Sequence, residues 1–480
     1  MTSKKQTIFP RMFKILSIIF FTLVTFQLKA QNTVISGKAV DYVGKEILFY
    51  TYSDPVVHQK HELGNVRVGQ DGSFSISLSI NQTMEVYADL DKYTGTLIAE
   101  PGRNYMITLP PFTPRTATEA RSPYFQPTLY WLGLPQTDNK DLNFAVRYFL
   151  TEYNLETVKN TTAIYQNASK ETVNEIIQRL DQKCSENKSD FFITLKKYYY
   201  AELEYVVYQR TPDILIEKYF AHKPLKLQNP AYQRSFKSLF TDFLRKEAQD
   251  YHNRKITSLV NSGNFTGLVS FFESKGYIKG FAELAVLKGL YDGYYTGGFN
   301  KESILKALDQ AQKTVLSESL IPIITLIRHK LTSLATGGKA PAIELINWKN
   351  EPVTLEKYRG KFVYLIFFKS SSNECRAELD SIVPLEKKFR QALSIVSIAT
   401  DEHFESDVKL WKEKKYVWEL LNGSNKKQLI SKYNAETVPA FFLLAPDGTF
   451  LLSPALPPSH DFESAFLKIF RDYNFKHPRK

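Results

Sequence analysis

The sequence predicts three structural units: a β-sandwich-like N-terminal domain, an all-α middle domain and a C-terminal mixed α/β domain. Two changes in hydrophobic period carry this reading. Apolar residues alternate with a period of two up to about residue 110, then recur at helical spacing from about 140 to 335. Beyond Gly337-Gly338, short strand runs and helical stretches interleave. A length of 480 residues agrees with three domains of about 150 residues each.

Composition sets the class. Hydrophobic residues make up 43% and charged residues 23%, which excludes a disordered chain, a collagen-like fibre or a coiled-coil rod. Two cysteines exclude a disulfide-stapled scaffold and a multi-cysteine metal centre. The net charge of +12 is inflated by the first thirty residues, which hold Lys4, Lys5, Arg11, Lys14 and Lys29 and no acid. Without them the balance falls to 57 basic against 50 acidic residues. Nucleic-acid binding needs a concentrated basic face or a motif, and neither is present.

Residues 1–30 read as a signal peptide. A basic stretch ends at Lys14, Ile15 to Leu28 is apolar apart from Ser, Thr and Gln, and Leu28-Lys29-Ala30 ends in a small residue. An apolar core of about fourteen residues is short of the roughly twenty that span a bilayer. Cleavage after Ala30 leaves no transmembrane segment, and no cysteine near the cleavage site offers a lipid attachment point. The expectation is an exported protein, and export exposes any thiol to an oxidising compartment.

Residues 33–112 form the β-rich domain. Ser73 to Ile80 alternates strictly and places Phe74, Ile76, Leu78 and Ile80 on one face. Asp71-Gly72 before it is a hairpin signal. Shorter runs at Val34–Val40, Ile47–Tyr52, Met84–Leu90 and Tyr105–Leu109 complete a small antiparallel sandwich. His58 and His61 lack the rest of a ligand set and are read as surface residues. Residues 112–138, rich in Pro and Thr, read as a linker.

Residues 140–335 form the helical domain. Phe192, Leu195, Tyr199, Leu203 and Val206 follow helical spacing, as do Ile304, Leu305, Leu308, Ala311 and Val315. Gly263, Gly276 and Gly297-Gly298 act as stop signals. The many Tyr and Phe residues are read as core, and Cys184 as a bystander on a polar stretch.

In residues 337–480, Gly337-Gly338 is a flexible break. Strands are predicted at Val353–Leu355, Phe362–Phe368 and Leu393–Ile398, and helices at Glu374–Phe389 and Glu405–Lys414. Phe441–Leu444 and Thr449–Leu452 form a hairpin about Pro446-Asp447-Gly448. The segment Phe367 to Leu379 runs from a buried strand into a helix, and a thiol at a helix N-terminus becomes a nucleophile because its pKa falls.

Here the sequence resembles a family. Ala340-Pro341, Pro352-Val353-Thr354-Leu355 and Tyr358-Arg359-Gly360-Lys361 resemble the opening segment of TlpA-type thiol–disulfide oxidoreductases of the bacterial envelope. Cys375-Arg376-Ala377-Glu378 resembles the helix after their active site, and Thr437-Val438-Pro439 with Phe441–Leu444 and Asp447-Gly448 their cis-proline loop and hairpin. The likeness spans about residues 337–455 and is closest to the multidomain versions of Bacteroidota. It implies a thioredoxin fold, a periplasmic location, no cofactor, a protein or peptide partner in the envelope, and substrate contact at Val438 and Pro439.

The departure falls on the active site. The family carries Cys-x-x-Cys, whereas this chain has Ser372-Asn373-Glu374-Cys375. Ser372 stands where the attacking cysteine belongs, and Ile366 where family members often hold an acid in the preceding strand. Exchange needs an attacking thiolate and a resolving thiol, so by that route the domain cannot work alone.

Three readings of Cys375 remain. The first is a silent thioredoxin domain acting in binding or assembly, with Ser371-x-x-Glu374 as a capping box and Cys375 as a small buried hydrophobe. The second is a single-cysteine redox enzyme, either peroxidase-like or trapping mixed disulfides. Peroxiredoxins place Ser or Thr three residues before their cysteine, as Ser372 does here, but their proline seven residues before it is replaced by Phe368. The third pairs Cys375 with Cys184. A serine hydrolase on Ser372 is excluded because no G-x-S-x-G elbow surrounds it.

Overall fold

A computed structural model of the protein describes residues 31–116, 119, 125–135, 141–250, 254–314, 317–401, 403–424 and 426–476. The signal peptide assigned to residues 1–30 lies outside the described residues. The N-terminal region is built from β1 (Gln31–Lys38), β2 (Glu46–Tyr52), β3 (Lys60–Arg67), β4 (Ser73–Ile80), β5 (Met84–Leu90), β6 (Tyr93–Ala99), β7 (Asn104–Ile107) and β8 (Thr128–Trp131). They form a three-stranded sheet, β4-β1-β7, and a five-stranded sheet, β3-β2-β5-β6-β8. Ile35, Phe49, Leu78, Val86 and Leu97 fill the core between them.

Three features differ from the sequence reading. The sandwich is not wholly antiparallel, because β7 joins β1 and β8 joins β6 in parallel. Residues 128–131, assigned to a linker, form β8 and close the edge of the larger sheet. Asp71-Gly72 does not close a two-stranded ladder: it carries the chain from β3 in one sheet to β4 in the other. Two strands were not anticipated. β3 is polar and exposed at a sheet edge, so it lacks alternation. β6 is interrupted by Gly95, where a Cβ would come within 2.6 Å of the Leu132 side chain.

The middle region contains eleven α-helices among the described residues, from α1 (Leu142–Lys159) to α11 (Ile321–Thr332). Gly263 and Gly297 end helices in left-handed conformation, with φ of 68° and 72°, the conformation in which glycine has no Cβ penalty. The aromatic residues are core: Phe149, Phe192, Tyr198, Phe220, Tyr232 and Phe236 are buried together. This core also takes in Val56 and Ile98 from the β-rich region. Asn143 fastens the junction. Its Oδ1 accepts from Ile98 N at 2.7 Å and its Nδ2 donates to Ile98 O at 2.9 Å.

The C-terminal region begins with the pair β9 (Glu344–Ile346) and β10 (Pro352–Thr354). Its main sheet holds β11 (Phe362–Phe368), β12 (Leu393–Ala399), β13 (Glu419–Asn422), β14 (Ala440–Leu444) and β15 (Phe450–Leu452), in the order β13-β12-β11-β14-β15. The pairs β11–β12 and β12–β13 are parallel, and β11–β14 and β14–β15 antiparallel. The helices are α12 (Asn373–Phe389), α13 (Phe404–Lys414), α14 (Lys427–Lys432) and α15 (Phe462–Lys476). β11 is buried along its whole length, as a central strand covered on both faces must be. Phe362, Tyr364, Ile366 and Phe368 pack on one side with Leu379 and Phe466, while Val363, Leu365 and Phe367 pack on the other with Tyr433.

Gly337-Gly338 is not a flexible break. Gly337 N donates to Phe450 O at 2.7 Å and Phe450 N to Gly338 O at 2.8 Å, so the incoming chain is bonded to β15. The C-terminal region meets the rest through Leu334, which packs on its core, and through polar contacts that include Lys330 Nζ to Asn434 Oδ1 at 2.7 Å, Lys427 Nζ to Asp89 at 3.3 Å and Gln428 Nε2 to Glu62 at 3.0 Å.

Candidate functional site

Parallel strands β11 and β12 end side by side, with Phe368 opposite Ala399. The chain leaving β11 forms Lys369 to Ser372, and the chain leaving β12 reaches Asp401. Ala440 pairs with Phe367 in the antiparallel neighbour β14, which brings Val438 and Pro439 to the same end of the sheet. The Val438-Pro439 peptide is cis, and both residues are half-buried. Ser372, Cys375, Val438 and Pro439 therefore share one end of the sheet, the end where α/β folds form sites.

The helix starts one residue later than a Ser371 cap would require. Ser372 is the N-cap, with extended backbone, and its Oγ accepts from Cys375 N at 3.3 Å. Ser371 turns outward instead: its Oγ donates to Asp401 Oδ1 at 2.8 Å. The capping box with Glu374 does not form. Cys375 lies inside the first turn and is 1% exposed, packed with Ile366, Phe368 and Leu379. Burial pushes its thiol up from the ordinary value, offset in part by hydrogen bonds with the Lys369 backbone and the Ser372 side chain.

Four residues of this junction were missed in the sequence. Ser370, 8% exposed, is held by two carboxylates. Its N–H donates to Asp407 Oδ1 at 3.2 Å, and its Oγ to Asp401 Oδ2 at 3.1 Å. Ser371 N also donates to Asp401 Oδ2, at 3.2 Å. Arg376 donates to Ser370 O and to Asn373 Oδ1. Asp407 is fully buried, its Oδ2 receives no donor, and burial pushes its carboxyl up to about 7. A signal for Asp407 was present: Phe404, Asp407, Val408 and Trp411 follow the spacing of one helix face, and an acid in such a stripe is buried.

The two cysteines are both free. Cys184 is buried in the helical core and Cys375 in the C-terminal core, so the pairing read as one option is not formed. Among the described residues no group of three or more His, Cys, Asp or Glu is placed to hold a metal, and no helix is long and apolar enough to cross a membrane. A cavity of about 770 Å³ lies between the β-rich and helical regions, lined by Asp54, Phe191 and Ile323 among others, away from the β11–α12 junction.

Residues 336–451 match the model of the AhpC/TSA family, and this part of the chain is thioredoxin-like. Among solved structures, the chain is similar to the thioredoxin domain of a thiol-disulfide oxidoreductase from Bacteroides vulgatus. The two are 26% identical over 28% of this chain and 97% of that one, with a TM-score of 0.26. A thiol:disulfide interchange protein from Bacteroides sp. is likewise 26% identical, over 29% of this chain and 91% of that one, with a TM-score of 0.27. No curated protein matches the chain.

Proposed function

We propose that the chain is an exported, periplasmic protein of the TlpA type whose thioredoxin-like region has lost dithiol exchange and works by binding a protein or peptide partner in the envelope. The observation that carries this is the state of Cys375. Its thiol is buried, its pKa is raised rather than lowered, and the residue three places before it is a serine whose oxygen caps the helix. A working nucleophile needs an accessible thiol of low pKa. The same burial counts against a peroxidase-like or substrate-trapping role for Cys375. The half-exposed Val438 and Pro439, at the end of the sheet, supply the surface assigned to the partner.

The test is dithiol-dependent insulin reduction by the purified protein. No turnover above background is expected. Robust turnover overturns the reading and returns attention to the two thiols.

A further inference from the structure

Helix α1 is apolar on two opposite faces. Leu142, Val146 and Phe149 are buried in the helical core. On the other side Phe144, Tyr148, Leu155 and Val158 are 40%, 41%, 47% and 73% exposed. Thr151, exposed between them, donates its hydroxyl back to Arg147 O at 2.9 Å. These five residues are spaced 4, 3, 4 and 3 apart, the repeat of a coiled-coil seam. Exposed apolar residues are ordinarily scattered singly, whereas these line one stripe about 21 Å long. Tyr148 and Leu155 take the first apolar position of the repeat, and Phe144, Thr151 and Val158 the second. Glu152 and Lys159 follow the last two and flank the stripe. Glu152 is bonded to Lys183 of α2 (Lys170–Lys183) at 2.5 Å. Lys159 is exposed and has no ion-pair partner among the described residues. At the start of the stripe, Phe144 and Tyr148 share a hollow of about 220 Å³ with Cys184 and Phe192.

We propose that this stripe is the interface of a homodimer in which the α1 helices of two copies pack antiparallel about a two-fold axis near Leu155 and Val158. One register meets three requirements. Each Leu155 lies against the partner's Val158, so the two most exposed aliphatic residues of the stripe are covered at its centre. In an antiparallel pair, like flanking positions face each other, which sets each Glu152 beside the partner's Lys159. The contact occurs twice by symmetry, and a carboxylate already bonded to one lysine can accept a second. The same register brings Tyr165, 59% exposed, to the level of the partner's hollow. A parallel pair would place Arg147 beside the partner's Glu152, but it would leave Lys159 beside an asparagine, Asn154, and set hollow against hollow. A stripe this short covers less than a standard interface, so the dissociation constant is on the order of micromolar. The dimer rests on α1 and not on the binding reading, which concerns the far-removed sequence around Val438 and Pro439, so its failure leaves that reading standing.

The experiment is sedimentation equilibrium of the purified protein across the micromolar range. Twice the chain mass is expected at the upper end. Leu155→Glu and Val158→Glu each put like charges into the seam and should raise the dissociation constant about a hundredfold or more. Their circular dichroism should not change, because neither residue belongs to the helical core. Glu152→Lys should weaken the dimer about tenfold, and adding Lys159→Glu to it should restore pairing, which keeps the test valid if the seam variants do not fold. Orientation is read in a Cys184→Ser background: a mixture of Leu155→Cys and Val158→Cys chains should form an intermolecular disulfide faster than either variant alone. A monomer across the whole range overturns the proposal. So does a dimer that neither seam variant weakens, a charge reversal that Lys159→Glu does not rescue, or faster cross-linking of Val158→Cys with itself than in the mixture.

Discussion

Ser372 Oγ accepts the amide hydrogen of Cys375 at 3.3 Å, so the serine three residues before the thiol closes the first turn of α12. The cap satisfies one of the four N–H groups left without partners at a helix start. Replacing Ser372 by Ala should cost about 0.5–2 kcal/mol of stability, whereas Ser372→Asp, which retains an acceptor, should cost little. Urea denaturation followed by circular dichroism decides. An equal loss in both variants would mean that the hydroxyl is not used as a cap.

Ser372→Cys places a thiol at the start of a 17-residue helix, where the positive end of the dipole favours a thiolate. The introduced thiol should titrate below the free value of about 8.5 and form a disulfide with Cys375, and the variant should reduce insulin where the parent does not. Mass-spectrometric mapping reads the bond, and turnover reads the activity. A variant that oxidises cleanly and stays inactive would point to the surroundings of the thiol pair, with Ile366 the first residue to examine.

Asp407 gives stability an unusual pH dependence. Its carboxyl is held at about 7 in the folded chain against an ordinary 3.8, so between these values the folded state binds the proton and the unfolded state does not. Stability from this group is complete below about pH 3.8 and is lost as pH rises toward 7. Asp407→Asn removes that loss. The variant should match the parent near pH 4 and exceed it at pH 8, by up to about 4 kcal/mol. Urea midpoints at the two values test this, and a variant weaker than the parent at pH 8 contradicts it.

The order of elements from β11 to α13 was legible because Phe362–Phe368 is an unbroken apolar run and α12 and α13 carry apolar stripes. The strand–helix junction was legible too. Side-chain partners were not. Ser371 and Ser372 are chemically alike in sequence, and the choice of cap was settled by Asp401, thirty residues beyond Ser371, which draws the Ser371 hydroxyl away. β8 escaped because four residues, Thr128–Trp131, give too short a pattern to separate from a loop, and it is fixed by pairing with β6. α14 and β13 were missed for the same reason: each is six residues or fewer.

The distribution of cores predicts two unfolding units rather than three. Val56 and Ile98 belong to the helical core, and Asn143 ties Ile98 to α1 through both its backbone groups, so the β-rich and helical regions should melt together. The C-terminal sheet is packed on both faces by its own residues, with Leu334 from the preceding segment beside them. Apart from the Gly337-Gly338 strand contact, its links to the rest include exposed polar pairs such as Lys427–Asp89, a kind worth about 0–1 kcal/mol. Calorimetry should therefore show two transitions. Asn143→Ala leaves the buried Ile98 N–H and C=O without partners, at a cost of about 1–3 kcal/mol for each group, and should lower the transition of the N-terminal block while leaving the C-terminal one in place. Asp89→Ala should move neither by a measurable amount. A single transition that both substitutions shift would mean that the C-terminal region is energetically fused to the other two.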